Sequence, residues 1–379
     1  MSALPRFILL YAAMYAAYGV ASPFLPSFLR TRGLQPEELG LVLAAGTAVR
    51  LVSAPLAGRI GDRLQALRNV LAVCIALAAL ATLGFLGAQG FWWVSAVVLL
   101  QAAALAPMTV LADALALRGR GFEYGWVRGT GSAAFIAGTL LSGQTIGAFG
   151  LEVIVPMQAL LLAAAAYAAA RVPELAHTRV AQAQSANPLG LLRLPRFASL
   201  VVVAALILGS HAMHDAFAVI RWTSAGVSAS TASLLWSEAV AAEVLVFFFI
   251  GPAMVRRLTP AGAMAVAALA GVLRWAVMAQ TSEVIALLLV QPLHGITFAL
   301  LHLACMRLIA RSVPPGLEGT AQALYGSVGI GAASALLTLV SGVLYGRFGA
   351  QGFWLMAALC ALALPLTFKL RTSFPESEE

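Results

Sequence analysis

The chain contains 379 residues, of which 61% are hydrophobic and 10% are charged, and its mean hydropathy is +0.92. So few charged residues exclude a soluble domain, because apolar area of this size has to face lipid rather than water. The net charge of +8 does not indicate a nucleic-acid partner, since the basic residues are spread over loops and tails. We therefore predict an integral membrane protein.

Twelve apolar stretches follow one another along the chain with short connections. Each is close to the ~20 residues that a helix needs to cross the hydrocarbon core. Their apolar character is continuous, whereas membrane-spanning strands alternate polar and apolar positions. The predicted fold is thus an all-α membrane protein with twelve transmembrane helices. In chain order the predicted spans cover residues 6–28, 38–58, 69–88, 92–115, 127–147, 151–171, 197–220, 231–253, 261–281, 283–306, 319–343 and 351–369.

The first stretch, from Pro5 to Phe28, is longer than the apolar part of a cleavable signal peptide. It also carries Gly19, Pro23 and Pro26, which is typical of a pore-lining helix. We expect it to remain in the protein as helix 1.

The distribution of basic residues predicts the orientation. With a cytoplasmic N-terminus, 16 of the 23 Lys and Arg residues fall inside and four fall outside, as the excess of positive charge in cytoplasmic loops requires. An even number of spans returns the chain to the side on which it began. Both termini are therefore predicted to be cytoplasmic, in a multi-pass protein of a bacterial cell inner membrane.

A repeated motif divides the chain into two related halves. The pattern Ser-Gly-x-x-x-Gly-x-Phe-Gly occurs at residues 142–150 and again 199 residues later at 341–349, each time at the end of an apolar stretch. Duplicated bundles with a central site are a common transporter design. The longest polar connection lies between the two copies. We predict an N-terminal six-helix bundle over residues 1–171, a cytoplasmic linker over 172–196 and a C-terminal six-helix bundle over 197–379.

The connection after helix 2 carries the pattern Gly-x-x-x-Asp-Arg-x-x-x-x-Arg, formed by Gly58, Asp62, Arg63 and Arg68. It resembles the loop signature of the major facilitator superfamily, whose plan of two pseudo-symmetric six-helix bundles covers the whole chain. The resemblance implies that Asp62 pairs with an arginine or a helix N-terminus in one conformation and releases it in the other. Gln65 departs from the pattern, because the family usually has glycine there. The alternative is a plain cytoplasmic topology anchor.

A second group of motifs is similar to the phenylpropionate permease branch of this superfamily, which is related to the lactose permease group. The motifs are Tyr124-Gly125-x-Val127-Arg128-x-x-Gly131-Ser132, Trp236-Ser237 with Glu243, Gly271-Val272-x-Arg274-Trp275, and Leu293-His294 with His302-Leu303-Ala304-x-Met306-Arg307. The resemblance implies a small-solute permease driven by protons. It also makes an aromatic monocarboxylate such as 3-phenylpropionate the favoured solute.

Four ionisable residues fall near the middle of their predicted spans: Arg50, Glu243, Arg274 and His294. An ionisable side chain in hydrocarbon costs ~2.5–3.5 kcal/mol on insertion scales, so its presence indicates a partner or a water-filled cavity. We expect the four at a similar depth, where transporters of this plan bind solute. Arg50 is our candidate for binding an anion through its guanidinium. The alternative is a structural Arg50–Glu243 ion pair.

By resemblance, Arg274 and His294 correspond to the arginine and histidine of helices 9 and 10 that serve proton coupling in the lactose permease group, and both are also candidates for solute binding. That group has a carboxylate one turn after the histidine, where this chain has Thr297. We assign proton coupling to Glu243 first and Glu238 second, with His294. Moving a cation toward and away from a buried carboxylate loads and unloads its proton. A structural, hydrogen-bonded His294 is the alternative.

Asp113 near the inner end of helix 4 and Arg128 at the start of helix 5 are of the right types for an interhelical ion pair. The resemblance implies that Arg128 also contacts solute, while the alternative is a pair that only fixes the helix hairpin. Trp236 in helix 8 is a candidate to stack on an apolar ring of the solute. Its alternative role is packing.

Helix 7 contributes His211, His214 and Asp215, whose spacing places His211 and Asp215 on one helix face. The sequence offers no third and fourth ligand, so a metal site is not predicted. We assign Asp215 to proton coupling at the outer gate.

We therefore predict a secondary active transporter that carries a small organic solute with protons by alternating access. It uses the proton gradient and no cofactor, contacts the solute, protons and the lipid bilayer, and is monomeric. Enzyme activity is not predicted, because no nucleophile–base pair, metal set or phosphate-binding loop is evident. The alternatives are a proton-coupled drug or metabolite efflux antiporter, a sugar or nucleoside symporter, and a non-transporting sensor on the same fold.

Overall fold

The computed structural model describes residues 3–118, 122–173, 188–314 and 317–372, and every regular element within these ranges is helical. The α-helices are α1 (Ala3–Ala21), α2 (Leu25–Thr31), α3 (Pro36–Leu64), α4 (Leu67–Leu83), α5 (Gly90–Leu117), α6 (Tyr124–Phe149), α7 (Ile154–Arg171), α8 (Pro188–Leu192), α9 (Pro195–Gly209), α10 (Ala212–Ser224), α11 (Ala229–Leu245), α12 (Gly251–Gln280), α13 (Val284–Val290), α14 (Leu293–Gly295), α15 (Leu301–Ser312), α16 (Glu318–Leu324), α17 (Ala333–Phe348) and α18 (Phe353–Thr372).

Among the described residues, ten continuous helical segments are long and apolar enough to cross a membrane. Two of them, Ala229–Gln280 and Glu318–Leu370, contain 52 and 53 residues, which is enough for two crossings each. The first bends at Thr259 and the second at the short turn Gly349–Gly352. With these two counted as pairs, the prediction of an all-α membrane protein with twelve transmembrane helices is confirmed.

The chain packs into two compact units. One comprises Met1–Arg179 with Trp222–Ser237, and the other comprises Val180–Arg221 with Glu238–Glu379. The predicted division at residues 1–171, 172–196 and 197–379 stays a prediction, and residues 174–187 of the predicted linker lie outside the described ranges.

Small residues allow the helices of the first unit to approach closely. A Cβ at Gly138 of α6 would lie 3.0 Å from the Cα of Ala16 in α1, and Thr139 Oγ1 donates to the backbone oxygen of Gly19 at 3.0 Å. A Cβ at Gly143 would lie 2.8 Å from the backbone oxygen of Ala229. Glycine is therefore required where α6 crosses its neighbours, in keeping with close helix packing through small residues.

The described part of the second unit contains three π-helical turns, at Val246–Ile250, Ile296–Leu300 and Tyr325–Ala332. Such turns insert an extra residue into a helix and are frequent at functional sites. The first two begin shortly after Glu243 and His294 along the chain. They therefore adjust the direction in which the following residues of these two spans project.

Both copies of the repeated motif end a helix. Gly150 has φ +83° after α6, and Gly349 has φ +55° after α17. Glycine adopts positive φ without the steric cost that a side chain brings. The motif is thus a helix stop that also provides close packing.

The signature region after helix 2 is more helical than its sequence suggests. Helix α3 begins with Pro36 and a capping box in which the Gln35 N–H donates to Glu38 Oε2 at 2.8 Å. It continues to Leu64, six residues beyond the predicted span, because polar residues end a membrane crossing without ending a helix. Gly58, Asp62 and Arg63 therefore lie on α3, and Arg68 lies in the first turn of α4.

The turn between α3 and α4 consists of Gln65 and Ala66. Gln65 has φ +50° and ψ +37°, the left-handed conformation that favours glycine. Thr259, in the corresponding connection of the second half, also has a positive φ of +62°. The two non-glycine residues with positive φ in the described chain thus lie in corresponding connections of the two halves.

We expect Gln65→Gly to stabilise the protein. The left-handed conformation costs a side-chain-bearing residue ~1–2 kcal/mol, and glycine gives back ~0.5–1 kcal/mol through its greater freedom in the unfolded chain, which leaves a gain of about 0.5–1 kcal/mol. Thermal unfolding of the purified protein in detergent measures the change. Gln65→Val is the matched control and should unfold at a lower temperature than wild type; equal midpoints for the two variants would contradict the argument.

Candidate functional site

A fully buried arginine lies at the centre of the polar residues in the second unit. Arg274, on α12, has no solvent exposure. Its Nη1 donates to His294 Nδ1 at 3.2 Å, and its Nη2 donates to Gln291 Oε1 at 3.1 Å and to His214 Nε2 at 3.4 Å. The guanidinium carbon lies 4.5 Å from the ring centre of Trp275. The partners within hydrogen-bond distance of this cation are therefore neutral groups.

The hydrogen bonds determine the tautomers of two histidines. A guanidinium only donates, so His294 Nδ1 and His214 Nε2 must both accept. The other ring nitrogens face carboxylates: His294 Nε2 is 3.4 Å from Glu243 Oε2, and His214 Nδ1 is 3.1 Å from Asp215 Oδ1. Each imidazole is therefore neutral and carries its one N–H on the nitrogen that faces a carboxylate.

Side-chain exposure increases from Arg274 through each of the two histidines to the carboxylate beyond it. The side chain of Glu243 is 29% exposed and that of Asp215 is 61% exposed, whereas Arg274 is enclosed. A charge removed from water is costly unless opposite charge or hydrogen bonds compensate it. Two carboxylates thus balance one buried cation through neutral imidazoles, and a proton bound to either carboxylate changes that balance.

A third histidine supports the same cluster. His211 lies between α9 and α10, with Nδ1 at 3.1 Å from the backbone oxygen of Ile207 and Nε2 at 2.9 Å from Thr297 Oγ1. Its ring centre is 5.3 Å from that of His294. Thr297, which replaces the carboxylate of the lactose permease group, therefore links helix 10 to helix 7.

Trp275 is enclosed beneath the cluster. It has no exposed surface, and its Nε1 donates to Ser210 Oγ at 2.8 Å. Its ring therefore packs under Arg274 and closes the cluster on that side.

The first unit holds a different acid–base pair. Asp113 on α5 and Arg128 on α6 approach to 3.8 Å between Oδ2 and Nη1, which is an ion-pair distance but too long for a hydrogen bond. The Tyr11 hydroxyl donates to Asp113 Oδ1, and Arg128 Nη1 donates to the Tyr15 hydroxyl. Arg128 and Asp113 are 41% and 30% exposed, so both side chains remain accessible.

The other predicted site residues are distributed between the units. Arg50 on α3 is exposed and lies within electrostatic range of Tyr18, whose hydroxyl donates to the backbone oxygen of Leu105 at 3.0 Å. Arg50 belongs to the first unit and Glu243 to the second, and their pairing stays a prediction.

Trp236 is 8% exposed and lies in the segment that packs with the first unit, and its contact with solute also stays a prediction. Glu238 begins the following segment of the second unit and is half-buried. Its Oε2 is buried without a hydrogen-bond partner within the described ranges.

The conformational roles of Gly58, Asp62, Arg63 and Arg68 stay predictions as well. In the structure Arg68 Nε donates to Asn69 Oδ1 at 3.2 Å.

The sequence indicated Gln101 and Gln291 as residues that join helices, but it did not show that their partners differ. Gln291 and Gln101 occupy matching positions of the repeat, but only Gln291 contacts a charged group. Gln101 donates to Thr82 Oγ1 at 2.8 Å and to Gln158 Oε1 at 3.2 Å, and so joins α5 to its neighbours. Tyr11 and Tyr15 were missed. Their spacing along helix 1, which Tyr18 continues, places all three rings on one face and could have indicated them.

Comparison with known proteins gives a consistent result. The family model described as MFS_1 like family matches residues 5–356. The Escherichia coli (strain K12) protein named "Probable 3-phenylpropionic acid transporter" is 33% identical over 374 residues, which cover 94% of each chain. The maltose permease of Geobacillus stearothermophilus is 24% identical over 360 residues, covering 94% of this chain and 91% of the permease. The crystal structure of the nucleoside transporter NupG superposes with a TM-score of 0.81 at 19% identity over 100% of both chains.

The matched glutamines give a direct test of the difference between the units. We expect Gln291→Leu to lower the free energy of unfolding by about 2 kcal/mol, because Arg274 and His214 lose a buried partner, and Gln101→Leu by about 1 kcal/mol, because only neutral groups lose one. Thermal unfolding in detergent measures both changes. An equal or larger loss for Gln101→Leu would show that the Arg274 cluster has no special demand for this amide.

Proposed function

The chain belongs to the MFS_1 like family, and from this we propose that it is a proton-coupled symporter that moves a small aromatic monocarboxylate across a bacterial inner membrane by alternating access. Its similarity to membrane transporters over nearly its full length supports transport rather than catalysis. The name of the 33% identical relative, which refers to 3-phenylpropionic acid, supports the solute class. The names of the maltose and nucleoside transporters show that the fold alone does not determine the solute.

The observation that carries the proton coupling is the chain of contacts from Arg274 through His294 to Glu243. In the described arrangement Glu243 Oε2 lies 3.4 Å from Nε2 of a neutral His294, whose other nitrogen accepts from Arg274. A proton on Glu243 removes one of the two negative charges that compensate the buried cation. The charge of Arg274 is then less fully compensated, which favours the arrival of another anion. Proton and carboxylate binding therefore assist each other, which is the thermodynamic requirement for symport.

The proposed carboxylate ligands are arginines, because a guanidinium matches a carboxylate with parallel N–H donors. Arg50 and Arg128 in the first unit and Arg274 in the second are the candidates, and Arg128 lies beside the rings of Tyr15 and Tyr11. An aromatic solute can pack on such rings.

The rest of the cycle follows the predictions from sequence. The proton gradient supplies the energy without a cofactor, the protein acts as a monomer with both termini in the cytoplasm, and the Gly58–Arg68 region responds to the change between inward and outward access. Asp215 and Glu238 are the further candidates for handling the proton.

We expect Glu243→Gln to abolish active accumulation of 3-phenylpropionate while leaving exchange intact. The amide keeps the shape and can still accept from His294, but it cannot take up or release the transported proton. Liposomes containing the purified protein measure accumulation driven by an imposed pH gradient, and separately the exchange of labelled for unlabelled solute without a gradient. Glu283→Gln, which changes an exposed carboxylate, is the matched control and should behave as wild type.

The assay has to exclude passive diffusion, because the neutral form of 3-phenylpropionic acid crosses bilayers unaided. Protein-free liposomes give that background at each pH. Gradient-driven accumulation by Glu243→Gln equal to that of wild type would remove Glu243 from the mechanism, and Glu238→Gln would then be tested in the same way. Wild-type transport of a cationic drug in exchange for protons, with no carboxylate transported, would replace symport by efflux.

A further inference from the structure

Asp113 and Arg128, the acid–base pair of the first unit, do not hydrogen-bond to each other. Asp113 accepts the hydroxyl of Tyr11, and the hydroxyl of Tyr124 lies within interaction distance of the same carboxylate. Arg128 donates instead to Tyr15, and its separation of 3.8 Å from Asp113 exceeds hydrogen-bond length. The strong, directional part of an arginine–carboxylate interaction is the pair of parallel hydrogen bonds. Here Asp113 and Arg128 each form hydrogen bonds with tyrosine hydroxyls instead of with each other.

This arrangement leaves donors on the basic side. A guanidinium has five N–H donors, and the described contacts use Nη1 of Arg128. The Tyr15 oxygen accepts from Arg128 and retains its own O–H to donate. Arg128 is 41% exposed and Tyr15 is half-buried, so an accessible cation and an accessible hydroxyl stand side by side. A carboxylate is the ligand that accepts from both at once.

An aromatic surface adjoins these donors. The rings of Tyr11 and Tyr15 lie nearly parallel with centres 5.8 Å apart, and Tyr18 follows edge-on to Tyr15 at 6.1 Å. Tyr11 is fully buried, whereas Tyr15 and Tyr18 are partly open. A flat apolar group attached to a carboxylate on Arg128 can therefore pack against the open ring of Tyr15.

We propose that Tyr11 is a positioning residue that holds Asp113 away from Arg128, and that it thereby reserves Arg128 and Tyr15 as the subsite for the solute carboxylate. The inference rests on the proposed function, in which Arg128 is one of the three candidate ligands of the solute carboxylate.

The test compares half-saturating concentrations of 3-phenylpropionate in liposome exchange. Tyr11→Phe frees Oδ1 of Asp113 for a hydrogen bond with Arg128, while Tyr124 keeps its own contact with Asp113. Half-saturation should therefore rise about tenfold, the size of one charge-assisted hydrogen bond, with the maximal rate unchanged. Adding Asp113→Asn to Tyr11→Phe removes the competing charge and should restore half-saturation to the wild-type value. Tyr15→Phe should also raise half-saturation, but Asp113→Asn should not rescue it, because a donor to the solute itself is lost.

Tyr18→Phe is the matched control, since it removes a phenol on the same face of the same helix whose hydroxyl donates to a backbone oxygen. It should leave half-saturation unchanged, and equal unfolding temperatures for the Tyr11 and Tyr18 variants exclude a folding defect. An unchanged half-saturation for Tyr11→Phe, or a failure of Asp113→Asn to rescue it, would overturn the proposal while wild-type transport stays intact. Wild-type protein that exchanges no monocarboxylate would instead overturn the proposed function, and this inference with it.

Discussion

The structure of the second unit depends on the cost of keeping a guanidinium out of water. Arg274 is fully enclosed, and a buried cation requires both hydrogen bonds and compensating charge nearby. Gln291 and two histidines provide the hydrogen bonds, and the carboxylates beyond the histidines provide the charge. Residues from α10 to α14 thus take their orientations from one side chain. Under the proposed function, this indirect compensation, which passes through ionisable groups, is what suits the cluster to handling protons.

Sequence reasoning predicted much of the fold, since composition and span length are strong constraints for a membrane protein. The ionisable residues were found for the same reason: Arg274, His294 and Glu243 are conspicuous in apolar helices. What the sequence did not reveal was which nitrogen faces which partner, and that the Arg274 cluster recruits Gln291 and His211. These depend on helix rotation, on the break at Ser210 and on the π-helical turns, and spans that are apolar on all sides carry no periodicity to predict them.

The first unit uses its charges differently. Arg128 and Asp113 are both partly exposed and lie among tyrosines, so neither has the enclosed character of Arg274. Water and phenol hydroxyls can satisfy these side chains, and no long relay is required. The sequence indicated the pair but not the tyrosines, because a tyrosine in a membrane helix is as readily read as packing. The matched residues Gln101 and Gln291 also show this difference between the units. Gln101 joins neighbouring helices in the first unit, whereas Gln291 accepts from the buried cation in the second.

The separation of the two clusters has a consequence for how such a protein can be changed. Each cluster is built from residues of a single unit, so the Arg128 subsite proposed for the solute and the carboxylates proposed to handle the proton lie in separate units. Under the proposed function, the first unit can be exchanged, or can evolve to bind another acid, while the proton-handling residues of the second unit stay unchanged. The duplicated chain would then suit the construction of chimeric transporters, in which the first half determines the solute and the second half couples its transport to protons.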